Sequence, residues 1–419
     1  MHSGLEYKEQ NLHFGGQSLQ QIAALQETPF YIYNSQSILS NIEAWQAASD
    51  PDRHHICYAV KANSNLAILQ IMARQGLGAD IVSGGELLRC LQAGIPANRI
   101  VYSGVGKTAA EIALALEAGI LLFSVESRQE LEQINECARR AGVLAAISMR
   151  VNPDVDAATH PYISTGLTEN KFGIHHDQAL AVFQMANRLE HVRISGIGFH
   201  IGSQLTSLDG FAAAAQKVRE LIPQIESECR LELEWIDCGG GLGIQYNAEE
   251  PPAPADYMKL MDQILGIPGK QLAFEPGRHL VGNAGLLVSR VLYTKENGDR
   301  RFIICDAAMN DLIRPALYQG YHAVYPVTEH GDPASWNKAD LVGPVCESGD
   351  FIARQRPLPN LQAGDLVAIH STGAYGFVMA SNYNSRMRAA ELLITPEGDL
   401  HLARRRETYA DLIRGEQLL

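Results

Sequence analysis

Four short stretches of this 419-residue sequence hold residue types that do chemistry. A lysine, Lys61, closes the apolar run "ICYAVK". A histidine, His200, opens "HIGSQ", which also carries Ser203. Three glycines, Gly239, Gly240 and Gly241, stand together in "CGGGLGI". Glu275, Gly277 and Arg278 share "EPGRH". Each has a plain reading. A lysine at a strand end snorkels to the rim, three glycines make a tight turn, and a histidine is a satisfied structural residue. Each also has a sharper one. The amine is a nucleophile, kept partly out of water so that its pKa falls. The glycines leave bare backbone N–H groups for a phosphate. The imidazole lies against a planar group. Taken singly, each stretch favours the plain reading.

The elements that must position these residues tip the balance. Residues 55–275 alternate strand-like and helix-like patterns. Strands are expected at Ile56–Val60, Ala79–Val82, Ile100–Ser103, Leu121–Val125, Ala145–Val151, Ile194–His200, Glu234–Cys238 and Gln271–Glu275. Helical stretches such as "GELLRCLQAG", "AAEIALALEAG" and "SRQELEQINECARRAG" end in the glycine expected just past a helix. Ala62 to Asn65 break the first strand and offer a cap for "LAILQIMARQ". Such alternation implies a parallel sheet. Eight strands in about 220 residues fit a closed (β/α)8 barrel better than an open sheet. Barrel chemistry sits at the carboxyl ends of the strands. Lys61, "HIGSQ", "CGGGLGI" and "EPGR" follow strands one, six, seven and eight, so all four fall on one face. "EEPPAPADY" reads as a loop within this unit.

After about Val281 the texture changes to short strands with Gly/Asp turns. "GLLVSRVLYTKENGDRRFIICDA" reads as a hairpin turning at "ENGD". The chain is therefore an α/β protein with a second, mainly β domain of barrel or sandwich type. The expected boundaries are 1–34 for an N-terminal segment packing with the β domain ("PFYIYN" being its strand), 35–283 for the barrel and 284–419 for the β domain. The β part carries three dense segments. "MNDLIRPALYQGYH" holds Arg314 and Tyr318, "GPVCESGD" holds Cys346 and Glu347, and "GAYGFVMASNYNSR" holds Tyr375.

Composition narrows the function classes. With 34 basic and 47 acidic residues the formal net charge is −13, which disfavours nucleic acid and anionic membrane surfaces. No run reaches the ~18 apolar residues of a membrane span, and "MHSGLEYKEQ" lacks a signal-peptide core. Seven cysteines without paired metal spacing read as reduced thiols in a cytoplasmic protein, with no metal site.

The barrel set is consistent with one cofactor, pyridoxal 5'-phosphate. Lys61 supplies the Schiff-base amine, the glycines a phosphate cradle and His200 a stacking ring. Glu275 keeps the pyridine nitrogen protonated, so that the ring accepts electrons from a breaking bond. A nicotinamide fingerprint is absent, because "GGGLG" follows a late strand and lacks the G-x-G-x-x-G spacing.

The segments "YAVKAN", "HPYISTGLTENKFGI", "HIGSQ", "CGGGLGI", "EPGR", "MNDLIRPALY", "CESGD" and "GAYGFVMASNYNSRMR" resemble the pyridoxal-phosphate decarboxylases of the alanine-racemase-like barrel group. Within that group they resemble the diaminopimelate decarboxylases. The resemblance implies decarboxylation of meso-2,6-diaminopimelate to L-lysine and carbon dioxide, the last step of lysine biosynthesis. It implies Lys61 as the Schiff-base lysine, His200 stacked on the ring and Glu275 at its nitrogen. It places Ser203, Gly239, Gly240, Gly241, Gly277 and Arg278 around the phosphate, and Arg150 of "MRVN" near the ring hydroxyl. It gives Arg278, Arg314, Tyr318 and Glu347 to substrate and Tyr375 to cofactor and substrate. Cys346 becomes the proton donor, completing the site of a partner subunit in a homodimer with shared active sites.

Chemistry adds an independent argument. The far end of diaminopimelate carries a carboxylate and an ammonium, so its site needs a cation and an anion together. Arg314 and Glu347 supply them, whereas an ornithine site needs only the anion. An ornithine-type decarboxylase and a non-catalytic, cofactor-binding regulator are the alternatives. The sequence departs from the family pattern at Glu27 and Ala308, where glycine is usual, and at Met387 and Ala389, where proline is usual.

Overall fold

The computed structural model describes residues 4–155 and 170–419, so residues 160–169 of the "HPYISTGLTENKFGI" motif lie outside the described residues. The chain forms two units. One comprises Asn41–Ile244 and Glu250–His279. The other comprises the chain up to Ser40, Gln245–Glu249 and Leu280–Leu419.

The first unit is a closed parallel barrel. Its strands are His54–Ala59, Gly78–Ile81, Ile100–Tyr102, Leu122–Val125, Ala145–Asn152, Val192–Gly198, Trp235–Asp237 and Gln271–Phe274. Each pairs with the next in chain order, and the eighth returns to the first through Leu272↔His54, Ala273↔His55 and Phe274↔Ile56. Strands buried on both faces need near-continuous apolar runs; "LFSV" and "QLAF" are of this kind. All eight strands stand within two residues of their expected bounds. The first is displaced, running His54–Ala59, and Lys61 occupies a 3-10 turn, Val60–Ala62, just beyond it.

The capping chemistry follows the sequence. Asn65 accepts the amide of Ala67 at 2.9 Å and starts the helix Leu66–Arg74, which buries Ile68, Leu69 and Met72. Three barrel helices end on left-handed glycines, Gly94, Gly119 and Gly142, a conformation that costs other residues about 1 kcal/mol or more. One expectation needs correcting. The loop read at "EEPPAPADY" ends early, because Pro254 starts the helix Pro254–Leu265 and Tyr257 is buried on it. Proline at the first helical position has its angle pre-set and lacks only an N–H that would be unpaired there anyway.

The second unit is built on the strand Gly285–Asn297. Its first half pairs with Phe30–Asn34 on one side and Leu366–His370 on the other. Its second half forms the expected hairpin with Arg300–Cys305, turning at Gly298 and Asp299. "FYIYN" thus joins this sheet, and its other edge pairs with Ala390–Ile394. A small sheet of Leu5–Lys8, Asn11–Phe14 and Gln17–Ser18 adds Leu5, Leu12 and Phe14 to a core with Phe30, Ile32 and Leu286. Among the described residues no helix is long and apolar enough to cross a membrane.

Candidate active site

The loops that follow the barrel strands are tied to one another. Gln204, from the loop after the sixth strand, donates to Ile244 O at 2.6 Å and accepts its amide at 3.1 Å. Leu205 N donates to Gly241 O at 2.9 Å. Arg278 Nη2, after the eighth strand, donates to Ser203 Oγ at 2.8 Å. The glycines make this approach possible. A Cβ on Gly240 would lie 2.1 Å from Glu275 O, and one on Gly241 would lie 2.4 Å from Gly202 O. The "GGG" run is therefore needed for backbone-to-backbone contact between three loops, the property a phosphate cradle also demands.

Onto this rim the first strand delivers Lys61, half-buried, with its ammonium paired to Asp80. Asp80 is fully buried in the second strand. A carboxylate partner, more than dry surroundings, is what the amine meets. His200 Nδ1 accepts the amide of Gly240 at 3.1 Å, so the ring's proton belongs on Nε2. Burial, helped by the charges of Arg150 and Lys61, holds the His200 pKa well below its ordinary value, and the ring is a neutral plate. Arg150, at the end of the fifth strand, pairs with buried Glu126 at 2.8 Å and lies over the Phe172 ring.

Glu275 carries the strongest signature. It is buried, its carboxyl hydrogen-bonds with that of Asp237, and no N–H or hydroxyl group of the protein donates to its Oε1. Burial raises its pKa well above the carboxylate range, and the charges of Asp237 and Asp80 add to the rise. Asp237, at the end of the seventh strand, accepts Gly239 N at 2.9 Å. Burial first, and the charge of Asp80 after it, push its pKa up to about 6. An unmatched buried oxygen costs about 1–3 kcal/mol, and a ring N–H donor would relieve it. Orphan carboxylate, backbone cradle, neutral ring and amine fit pyridoxal phosphate.

The remaining expected residues lie in the other unit. Arg314 and Tyr318 stand one turn apart on the helix Arg314–Tyr318. Arg314 is buried, with Nη1 2.8 Å from His322 Nε2. Cys346 and Glu347 are exposed, and Cys346 is the one exposed cysteine of seven. Their loop is pinned by Asp350, which accepts the amides of Val345 and Met309, both at 2.7 Å. Tyr375 has a left-handed backbone, φ 55°. Ala308 does not, so alanine is tolerated there; its amide donates to Asp311 at 3.0 Å.

Sequence reasoning passed over Asp80, Asp237 and Glu126. The signal was present for the first two, each a lone charge inside an apolar strand, "GADI" and "WID".

Comparison with known proteins agrees with this arrangement. Residues 35–282 match the pyridoxal binding domain of pyridoxal-dependent decarboxylases. Diaminopimelate decarboxylase of Pseudomonas aeruginosa is 48% identical, the match covering 99% of this chain and 98% of that protein. The chain belongs to the diaminopimelate decarboxylase family. The Aquifex aeolicus member is 46% identical over 97% of this chain and 95% of its own. The Helicobacter pylori enzyme, solved in complex with L-lysine, superposes with a TM-score of 0.90 at 42% identity, covering 94% of this chain and 98% of that one. The M. jannaschii enzyme, also with L-lysine, gives 0.94 at 36% identity, covering 100% of this chain and 98% of that one.

Proposed function

We propose that this chain is a carboxy-lyase that converts meso-2,6-diaminopimelate to L-lysine and carbon dioxide with pyridoxal 5'-phosphate, the last step of lysine biosynthesis. The observation that carries the reading is the buried, unmatched Oε1 of Glu275 on the barrel rim that also presents Lys61. An oxygen left so is costly unless a ligand supplies the donor.

Lys61 Nζ is the amine that would hold the cofactor. Asp80 keeps its ammonium in place. Glu275 Oε1 would accept the ring N–H, His200 would bear on the ring face, and Arg150 would stand by the ring hydroxyl. Ser203, Gly239, Gly240, Gly241, Gly277 and Arg278 would surround the phosphate. When bound, pyridoxal phosphate supplies an electrophilic carbon for amines and a protonated ring that takes up the electron pair left by departing carbon dioxide. Arg314 with Tyr318 and Arg278 holds substrate carboxylate, Glu347 holds the distal ammonium, and Tyr375 touches both cofactor and substrate. Cys346 Sγ gives a proton to the α-carbon.

Cys346 and Glu347 lie on the surface of their own unit. That supports a homodimer in which each subunit's "CESGD" loop completes its partner's site, with two-fold symmetry giving two equivalent sites. Residues 35–283 are assigned as the cofactor-binding domain, flanked by 1–34 and 284–419. Unpaired thiols support a cytoplasmic enzyme.

The test is carbon dioxide release from stereochemically pure meso-diaminopimelate, with ornithine, lysine and arginine as controls. Release from diaminopimelate alone is expected. Preference for ornithine moves the chain to the ornithine-type enzymes, and release from none leaves a non-catalytic binder.

A further inference from the structure

Arg314 is held by more than its own helix. Its Nη1 donates to His322 Nε2 at 2.8 Å. On the other side of that ring, His322 Nδ1 stands 2.8 Å from the carbonyl oxygen of His370. A carbonyl only accepts, so Nδ1 carries the proton. The neutral ring then offers its Nε2 lone pair to the guanidinium. The acceptor carbonyl is itself immobile. His370 lies on the strand Leu366–His370, in register with Leu286, and its amide donates to Ala323 O at 2.8 Å. The guanidinium carbon also sits 4.5 Å from the centroid of the Tyr246 ring. Tyr246 in turn meets His322 edge-on, with centroids 5.5 Å apart and planes at 83°. His322 is buried throughout.

A guanidinium is a planar fork, and its capture of a carboxylate depends on the orientation of that plane. Stacking on Tyr246 sets the plane. The bond to His322 sets the rotation within it. We propose that His322 and Tyr246 are positioning residues for substrate selectivity, orienting Arg314 so that the fork meets the distal carboxylate of the substrate. The proposal rests on the assignment of Arg314 as the distal anchor. It adds that the anchor is pre-organised by a relay running from a sheet carbonyl through one imidazole.

The experiment compares purified holoenzyme variants by KM and kcat for meso-diaminopimelate and by the cofactor absorbance band. His322→Leu withdraws the acceptor, and a charge-assisted bond of this kind corresponds to a rise in KM of about 10- to 100-fold. Its kcat should change far less, and the cofactor band should stay in place. His322→Gln, whose Oε1 can reach the place of Nε2, should recover most of the loss. Tyr246→Leu should raise KM several-fold, the scale of a lost cation–π contact. Should His322→Leu not fold, His322→Asn keeps the donor to His370 O while withdrawing the acceptor, and the same KM rise is expected. An unchanged KM in His322→Leu or His322→Asn overturns the proposal when Arg314→Leu itself collapses kcat/KM. An unchanged kcat/KM in Arg314→Leu overturns the anchor assignment instead. A uniform fall in kcat without a KM rise, or no rescue by glutamine, assigns His322 to general packing and refutes the positioning role.

Discussion

The acid pair Glu275 and Asp237 makes the cofactor-free protein sensitive to pH in a calculable direction. Both carboxyl groups have raised pKa values in the folded state, chiefly through burial, and Asp237 is pushed up to about 6. A raised folded pKa means that the native protein holds a proton the unfolded chain has released. Its contribution to stability is whole at acid pH and is lost as pH climbs through the folded value. The pair titrates as one system. Where the native pair retains about one extra proton, from the ordinary carboxylate range up to about pH 6, stability falls by about 1.4 kcal/mol per pH unit, or about 2.7 kcal/mol between pH 4 and pH 6. With Tm moving by about 2–4 °C per kcal/mol for a unit of this size, this pair should lower the melting point of the stripped protein by some 5–10 °C between pH 4 and pH 6. Glu275→Gln removes one titrating group and gives Asp237 an amide donor, so most of that slope should vanish. Cofactor loading should flatten the slope of the parent in the same way, by supplying a donor to Oε1. Differential scanning calorimetry of stripped and loaded protein at the two pH values reads all four cases. Equal pH slopes in the stripped parent and in stripped Glu275→Gln mean that this acid pair does not carry the pH dependence.

Glu275→Gln should also retain cofactor yet turn over about 10²-fold more slowly, the scale lost with a pre-organised electrostatic partner; a near-normal steady-state rate removes Glu275 from the mechanism. Borohydride should fix the yellow cofactor as a secondary amine on Lys61, and peptide mapping that finds the label on another lysine contradicts the assignment. Gly240→Ala places a Cβ 2.1 Å from Glu275 O, so the rim must shift at a cost of about 1–3 kcal/mol; equilibrium dialysis should find cofactor binding weaker by about tenfold or more. Lys61→Ala and Cys346→Ala proteins, each nearly inactive, should recover about one site in four when unfolded and refolded together, by random pairing in a two-fold dimer. No recovery, with subunit exchange verified, places each site within a single chain.

The barrel was legible because its signals are local. Periodicity, caps and terminal glycines each report on a few neighbouring residues, and parallel strands buried on both faces leave near-continuous apolar runs such as "LFSV". The rim motifs were legible for the same reason, since a strand end and the loop after it are adjacent in sequence. Asp80, Glu126 and Asp237 were not singled out, because their meaning is pairwise and distant. Asp80 matters through Lys61, 19 residues away, and Glu126 through Arg150, 24 residues away. The helix at Pro254 was read as loop because proline and acidic residues dominate its first turn, a composition shared by turns and helix starts. The small sheet from Leu5 to Ser18 escaped for want of length, its longest strand having four residues.

The path of the chain between the two units has a consequence for inheritance. The polypeptide passes between them four times, at Ser40, Ile244, Glu249 and His279, and one excursion is only the five residues Gln245–Glu249. That excursion carries Tyr246, which faces Arg314. A recombination event that exchanged the barrel as one contiguous block of gene would replace this tyrosine together with the barrel, while the arginine it faces stayed behind. Modular shuffling is thereby penalised in this architecture. A block exchange keeps the Tyr246–Arg314 contact only where the incoming segment carries a tyrosine at that place.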